Sequence, residues 1–313
     1  MFVVVGEALV DLVGQRGGRT LTAHPGGSPA NVALGLARLG DAVTLKTRLG
    51  RDALGAMIRE HLQASGVRVD AGPDEDSVPT SLAIATLAAG VATYDFRIDW
   101  NVRALMALPV ETRCLHTGSL ATVLPPGNAN VVDLMEREHK RGRVTVSYDP
   151  NVRPALMGDA ARARQDIERL VGLSDVIKVS DEDLHWLYPD QPDEDVAQAW
   201  RACGPALVVV TRGAAGVCAV SANLELHPPA MPIDLVDTVG AGDSFTSGLL
   251  DGLRRADLIG AARRDALAAI DEATLAEVVD EAALIAAITC SRPGADPPTR
   301  AQVDAASAAG RPA

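Results

Sequence analysis

Short, unbroken apolar runs alternate with longer segments of helical period along most of this 313-residue sequence. The runs are Phe2–Val5, Ala42–Thr47, Arg113–Thr117, Val144–Tyr148, Val176–Val179 and Leu207–Thr211. A strand covered on both sides has no solvent face to keep polar, so runs of this kind read as buried strands. Between them the spacing predicts helices over Ala30–Leu39, Ala53–Ala64, Ala129–Arg141, Asp159–Val171 and Val196–Cys203, the second bracketed by Asp52 and Gly66. Repeated βα units of this type imply a mainly parallel sheet flanked by helices, an α/β fold. The last third reads as helical, over Ser244–Arg255, Gly260–Ala269 and Ala273–Ile288, and the Pro/Ala-rich tail after Pro293 is expected to pack poorly at its end. Asp11–Ala23 and Ser81–Ile98 break the rhythm: they are turn-rich, with polar and apolar residues interleaved, and fit no crossover helix. The expectation is a single α/β domain over residues 1–313 with a small β-flap built from segments 11–23 and 81–98.

Charge and composition remove several classes of function. A net charge of −12 argues against non-specific nucleic-acid binding and against docking on an anionic membrane. No apolar run approaches membrane-spanning length. The chain starts straight into MFVVVGEALVDLV, with no basic leader and no small-residue cleavage site, so a cytoplasmic location is expected. Cys114, Cys203, Cys218 and Cys290 lie far apart without a CxxC pair and are expected to be reduced thiols. His24, His61, His116, His139, His185 and His227 show no metal-site spacing.

The most informative stretch is DTVGAGDSFTSG, Asp237 to Gly248, followed directly by a helical pattern. Gly240, Ala241 and Gly242 carry almost no side-chain bulk, so their backbone N–H groups can converge on an anion at a helix N-terminus. Asp243 would project its carboxylate beside that anion. Two negative charges side by side repel, unless a hydroxyl between them loses its proton as it attacks phosphorus. The chemistry this suggests is phosphoryl transfer to an alcohol. No GxxxxGK[ST] occurs anywhere, which excludes a P-loop kinase.

The DTVGAGD string resembles the C-terminal signature of the ribokinase-like (PfkB) carbohydrate kinases, and PGGSPANVALGLARLG resembles that family's N-terminal signature. The resemblance implies a three-layer ribokinase-like fold that binds ATP and a small sugar. It makes Asp243 the catalytic base, with Gly240, Ala241 and Gly242 as the anion hole. At the sugar end it implies contacts from Gly26, Gly27 and Asn31. Read as residues alone, the same segment is a helix start, with Ser28 capping and Pro29 in the first turn. Asp11, at the end of the first strand in GEALVDL, is expected to hold sugar hydroxyls. Asp149-Pro150-Asn151-Val152-Arg153 looks like the D-x-N-x-R element of fructokinases and 2-keto-3-deoxygluconate kinases, with Arg153 as a phosphate or carboxylate ligand. Arg97, in the flap segment beside Tyr94 and Phe96, is a further substrate candidate from the same resemblance.

At the nucleotide end, Thr211, Gly213 and Gly216 match the family's T-x-G-x-x-G segment, and Lys178 on the preceding strand is a candidate for the phosphates. The usual N-x-x-E element is Ser180-Asp181-Glu182-Asp183 here, and Asp183 or Glu182 is expected to serve hydrated Mg²⁺. Asp237, Val239 and the loop 289–294 roughly match a monovalent-cation site, with Pro298 where a serine hydroxyl is often found, so K⁺ stays open. The GEALVDL and DPNVRP strings lean toward fructose as acceptor; 2-keto-3-deoxygluconate, ribose and a nucleoside remain alternatives. A non-catalytic sugar-binding relative is disfavoured by the intact GAGD. A nicotinamide oxidoreductase is disfavoured because GQRGGR at 14–19 precedes no helix. Flap edges leave open a homodimer.

Overall fold

The computed structural model describes residues 1–72, 78–88, 91–102 and 108–309. Two sheets organise it. In the first, β1 (Phe2–Val5) pairs in parallel with β4 (Val43–Lys46) on one side and β8 (Cys114–Gly118) on the other. Beyond β4 lies β5 (Arg68–Asp70). Beyond β8 come β9 (Thr145–Asp149), β10 (Val176–Ser180) and β11 (Leu207–Thr211), all parallel. The antiparallel β12 (Val217–Val220) and β13 (Glu225–Leu226) close that edge. The order β13-β12-β11-β10-β9-β8-β1-β4-β5 reverses direction between β1 and β8. Ligands of open α/β sheets sit at such a switch point, outside the carboxyl ends of the strands.

Alternation along each strand feeds two cores. Phe2 and Val4 face one, with Leu34, Leu36, Leu249 and Leu253, whereas Val3 and Val5 face the other, with Leu134, Ile167 and Trp200. The first is covered by α1 (Ser28–Arg38), α2 (Ala53–Ala64), α8 (Ala241–Arg255) and α10 (Glu272–Cys290). The second lies under α3 (Gly127–Arg141), α5 (Ala160–Val171), α6 (Asp181–Leu187) and α7 (Asp193–Ala202). Short α4 (Pro154–Met157) precedes α5 on the second side, and short α9 (Arg264–Ala268) lies between α8 and α10 on the first. Asp52 caps α2 as expected, its Oδ1 accepting from the Gly55 amide at 2.8 Å. No disulfide joins the cysteines. Among the described residues no helix is long and apolar enough to cross a membrane.

The second sheet is the flap: β3 (Thr22–Gly26), β2 (Leu9–Gln15), β6 (Ser81–Ala88) and β7 (Val91–Arg97), in that order. Asp11 therefore lies inside β2 of the flap and does not end the first strand, which stops at Val5. The Tyr94 side chain falls outside what the structure describes. The predicted helix over 260–269 shrinks to α9, because Gly260 takes a φ of +115° and Ala262 one of +56°, outside the helical region. The tail is better ordered than its composition suggests. Thr299 and Gln302 make a capping box at α11 (Arg300–Ala308), whose Val303 is buried; residues 310–313 lie outside the described part.

One contact sets how α1 meets α8. A Cβ placed on Gly35 would lie 2.3 Å from Ser247 Oγ and 2.7 Å from its Cβ. Gly35→Ala should therefore force the helices apart and cost about 1–3 kcal/mol in urea unfolding. A variant as stable as the wild type would show that the crossing is loosely packed.

Candidate active site

Asp11, Gly26, Asn31, Arg153, Lys178, Asp183, Gly242 and Asp243 are brought together around the carboxyl ends of the parallel strands. Asp243 is the third residue of α8 and is almost fully buried. Its Oδ1 accepts from Ser28 Oγ at 2.6 Å and its Oδ2 from Asn31 Nδ2 at 2.8 Å. Gly27, not Ser28, is the N-cap of α1, with a φ of +103°. The Ser28 hydroxyl, read from sequence as a cap, is thus free to bind the carboxylate across the helix crossing. Asn31, expected at the sugar, donates instead to the same carboxylate in this structure. Burial raises the Asp243 pKa, while the hydrogen bonds from Ser28 and Asn31 and the Lys178 charge pull it back.

The turn before α8 follows the backbone logic of an anion site. Gly240 sits at a φ of +76° with Ala295 so close that any Cβ would fall 2.6 Å from the Ala295 methyl. The Ala241 amide is engaged with Thr238 O at 3.2 Å, unlike the expectation that it faces an anion. The amides of Gly242 and Asp243, in the first turn of α8, have no intrahelical acceptor and stay available to an external one. Lys178 completes the turn: a Cβ on Gly242 would lie 2.8 Å from its Nζ. That ammonium is buried and donates to Asp149 Oδ2 at 3.1 Å. Burial works against its charge, but Asp149, Asp183 and Asp243 outweigh burial and raise its pKa.

Asp149 ends β9, and its Oδ1 accepts from the Asn151 amide at 3.1 Å, with Asn151 at a φ of +39°. Arg153 follows, exposed, with Nη1 donating to Asn151 Oδ1 at 2.7 Å. Asp183 Oδ1 accepts from the Val152 amide at 3.1 Å. Burial and then Asp149 push the Asp183 carboxyl up to about 6. Glu182, by contrast, is exposed on the first turn of α6 and is not brought to the cluster. Thr211 ends β11, Gly213 opens a short 3-10 turn and Gly216 closes it at a φ of +91°. A Cβ on Gly216 would meet Pro228 O at 2.2 Å, so the tight turn requires glycine.

On the flap, Gly26 packs so closely on Asp11 that a Cβ would lie 2.0 Å from Asp11 Oδ2. Burial pushes the Asp11 carboxyl up to about 6, against the charges of His24 and Arg153. Strand register settles which flap residues share its face. Asp11 stands opposite Ala83, which stands opposite Phe96; Arg97 stands in the neighbouring row with Leu82 and Val10. Side chains of adjacent rows point to opposite faces. Arg97 is therefore on the wrong face for the site, exposed and paired with Asp95 at 3.1 Å, and its expected substrate contact is withdrawn.

Two residues carry weight that sequence reasoning did not assign. Asp149 is the Lys178 counter-charge, visible only as part of a motif. Glu7 lies just past β1 at the switch point, buried, its Oε2 accepting from the Ala121 amide at 3.2 Å. Burial pushes its carboxyl up to about 7. Further out, Asp237 accepts from the Val239 amide at 3.0 Å and the Gly294 amide at 2.8 Å, tying the glycine turn to the loop after α10.

Fold and cluster together define a doubly wound α/β protein with a flap beside a helix-start anion turn and a buried carboxylate. The model of the pfkB family carbohydrate kinases matches residues 1–302. A fructokinase from Klebsiella pneumoniae is 35% identical over 257 residues, 80% of this chain and 83% of that one. A double mutant of the fructokinase from Vibrio cholerae O395, solved with fructose, ADP and potassium ion bound, superposes with a TM-score of 0.81 at 27% identity, covering 97% of both chains. The aminoimidazole riboside kinase from Salmonella enterica gives 0.78 at 26%, over 97% of this chain and 98% of that one. The chain belongs to the pfkB family of carbohydrate kinases, with the ribokinase-like α/β fold.

Glu7 makes a pH prediction. Its folded pKa of about 7 lies above the ordinary 4.5, so the folded state holds a proton that the unfolded state has lost. Its contribution is present below pH 4.5 and is lost as pH rises through about 7. Glu7→Gln should shrink the fall in urea-unfolding stability across that window by on the order of 3 kcal/mol. Parallel wild-type and variant curves would contradict it.

Proposed function

We propose that this chain is an ATP-dependent fructokinase, moving the γ-phosphate of ATP onto a primary hydroxyl of fructose. The observation that carries the reading is Asp243: a buried carboxylate beside the anion turn, with both oxygens fixed from α1. Each carboxylate oxygen has a second lone pair, so Ser28 and Asn31 aim the group and leave it able to accept the proton of an attacking hydroxyl. Burial keeps its basicity above that of a surface aspartate, which suits a general base. The Gly242 and Asp243 amides and the Lys178 ammonium take up charge on the transferred group. Ala241 and Gly240 shape the turn that presents them.

Asp11, held against Gly26 and in reach of the Arg153 field, is proposed to bind sugar hydroxyls, with Gly27 giving backbone access. Thr211, Gly213 and Gly216 are proposed to approach the nucleotide. Mg²⁺ prefers carboxylate oxygens and keeps much of its water; Asp183 and Asp149 fit it, and the ion would shield the phosphate charges when bound. The Asp237–Gly294 tie is proposed as the frame of a K⁺ site, as potassium accompanies the Vibrio cholerae relative. The proposed activity consumes ATP, and its expected setting is the cytoplasm. The outer flap strands β3 and β7 are proposed to pair with a second copy; a monomer in sedimentation would refute that.

Asp243→Asn should fold normally and retain KM for both substrates while kcat drops by ~10² or more. In the wild type, kcat/KM should fall toward acid pH as the base is protonated, with a midpoint above the ordinary aspartate range. Near-normal turnover in Asp243→Asn would remove its assigned role. ADP release across fructose, ribose, 2-keto-3-deoxygluconate, adenosine and tagatose identifies the acceptor; the reading expects fructose to give the highest kcat/KM.

A further inference from the structure

We propose that Cys218, Glu225 and His227 form a binding site for a thiophilic divalent cation of the zinc class on the β12–β13 hairpin. One ligand atom from each residue lies within 4.8 Å of the others. The hairpin creates the cluster. Val220 pairs with Glu225 and Ala219 with Leu226, so the next register step sets Cys218 against position 227. Cys218 and His227 then share one face, and Glu225, two residues before His227, shares it too. Cys218 joins Glu225 and His227 only through strand pairing, so the histidine spacing alone carries no metal motif.

The donor set suits such an ion. A thiolate, an imidazole and a carboxylate are the ligands of zinc, at about 2.0–2.3 Å each, which sets donor–donor separations of about 3.4–3.6 Å in a tetrahedron. The present span is compatible with these after small side-chain rotations: His227 Nε2 now contacts Glu225 Oε1 at 2.8 Å and needs to open slightly. Three protein ligands leave a fourth position for water. Gln198 on α7 donates to the other Glu225 oxygen at 2.6 Å and holds the carboxylate in orientation.

The surrounding charge also favours a cation. Among the described residues Arg212 is the positive group seen against the cluster, and it is answered by Asp193 at 2.6 Å and Glu194 at 2.8 Å. With Glu225 there are three carboxylates against one guanidinium, before any metal arrives. The 3.4 Å contact from Arg212 Nη1 to His227 Nδ1 is the longest of the interactions Arg212 makes here and is expendable. On binding, the Cys218 thiol loses its proton to solvent as its sulfur bonds the ion. The His227 ring binds as neutral imidazole through one nitrogen and keeps its proton on the other.

Cobalt(II) added to chelator-treated full-length protein is the test, because a Co²⁺–thiolate bond gives a near-ultraviolet charge-transfer band. The wild type should develop that band to one equivalent, and Zn²⁺ should abolish it by displacement. Cys218→Ser should lose the band. His227→Gln and Glu225→Gln, on exposed side chains that do not threaten folding, should each weaken Zn²⁺ binding about tenfold or more. Absence of the band in the wild type would overturn the proposal, as would its persistence in Cys218→Ser or unchanged affinity in both exposed variants. None of these readouts depends on kinase activity, so the site and the fructokinase reading fail or stand separately.

Discussion

The carboxylate of Asp243 is held from a different helix, and most of the site's geometry follows from that crossing. Asn31 and Gly35 lie one turn apart on α1; Asp243 and Ser247 lie one turn apart on α8. The hydrogen bond at one level and the close approach at the next are two consequences of the same alignment. Without a side chain at position 35 the helices come near enough for Ser28 and Asn31 to reach the acid. The small-residue helix behind the glycine turn is thus part of the chemistry as well as the packing.

Around this crossing the protein gathers more acid than base. Glu7, Asp11, Asp149, Asp183 and Asp243 act on one another through short distances, with Lys178 buried among them and Arg153 at the rim. Burial raises Glu7, Asp11, Asp183 and Asp243, and the charge of a neighbouring carboxylate raises each of them further. Such an arrangement is electrostatically incomplete by itself. It is relieved by cations and by hydrogen-bond donors, both of which a hydrated metal and a polyhydroxylated ligand supply. The switch point of the sheet explains how so many acids meet: Glu7, Asp149 and Asp183 follow the carboxyl ends of β1, β9 and β10, Asp11 comes from the flap, and α8 brings Asp243 to the same place.

The parts legible in sequence were those where local chemistry decides. Apolar runs became buried strands, and Asp52 capped α2 where expected. DTVGAGD became a turn at a helix start with a carboxylate inside it. What was hidden depended on partners distant in sequence. Arg97 is a candidate only through the family resemblance, yet strand register puts it on the opposite face from Asp11, and register across β2, β6 and β7 is not written in any one segment. Ser28 carried a plausible local role as a cap, and the structure gave that role to Gly27. Ala241 looked equivalent to its glycine neighbours, but its amide closes the turn onto Thr238. Glu182 and Asp183 were indistinguishable as adjacent acids until α6 gave one of them to the cleft and the other to solvent.

The Ser28–Asp243 contact spans 215 residues of chain. Loops of that length close late, after local helices and hairpins have formed. During synthesis the N-terminal half of the site is therefore made long before its acid leaves the ribosome. Until α8 docks, Ser28 and Asn31 face water, and the glycine turn has no Lys178 beside it. A nascent or truncated chain can own every strand from β1 to β11 and still hold no working centre. The centre is complete only where α8 lies against α1, with both halves of the chain in place.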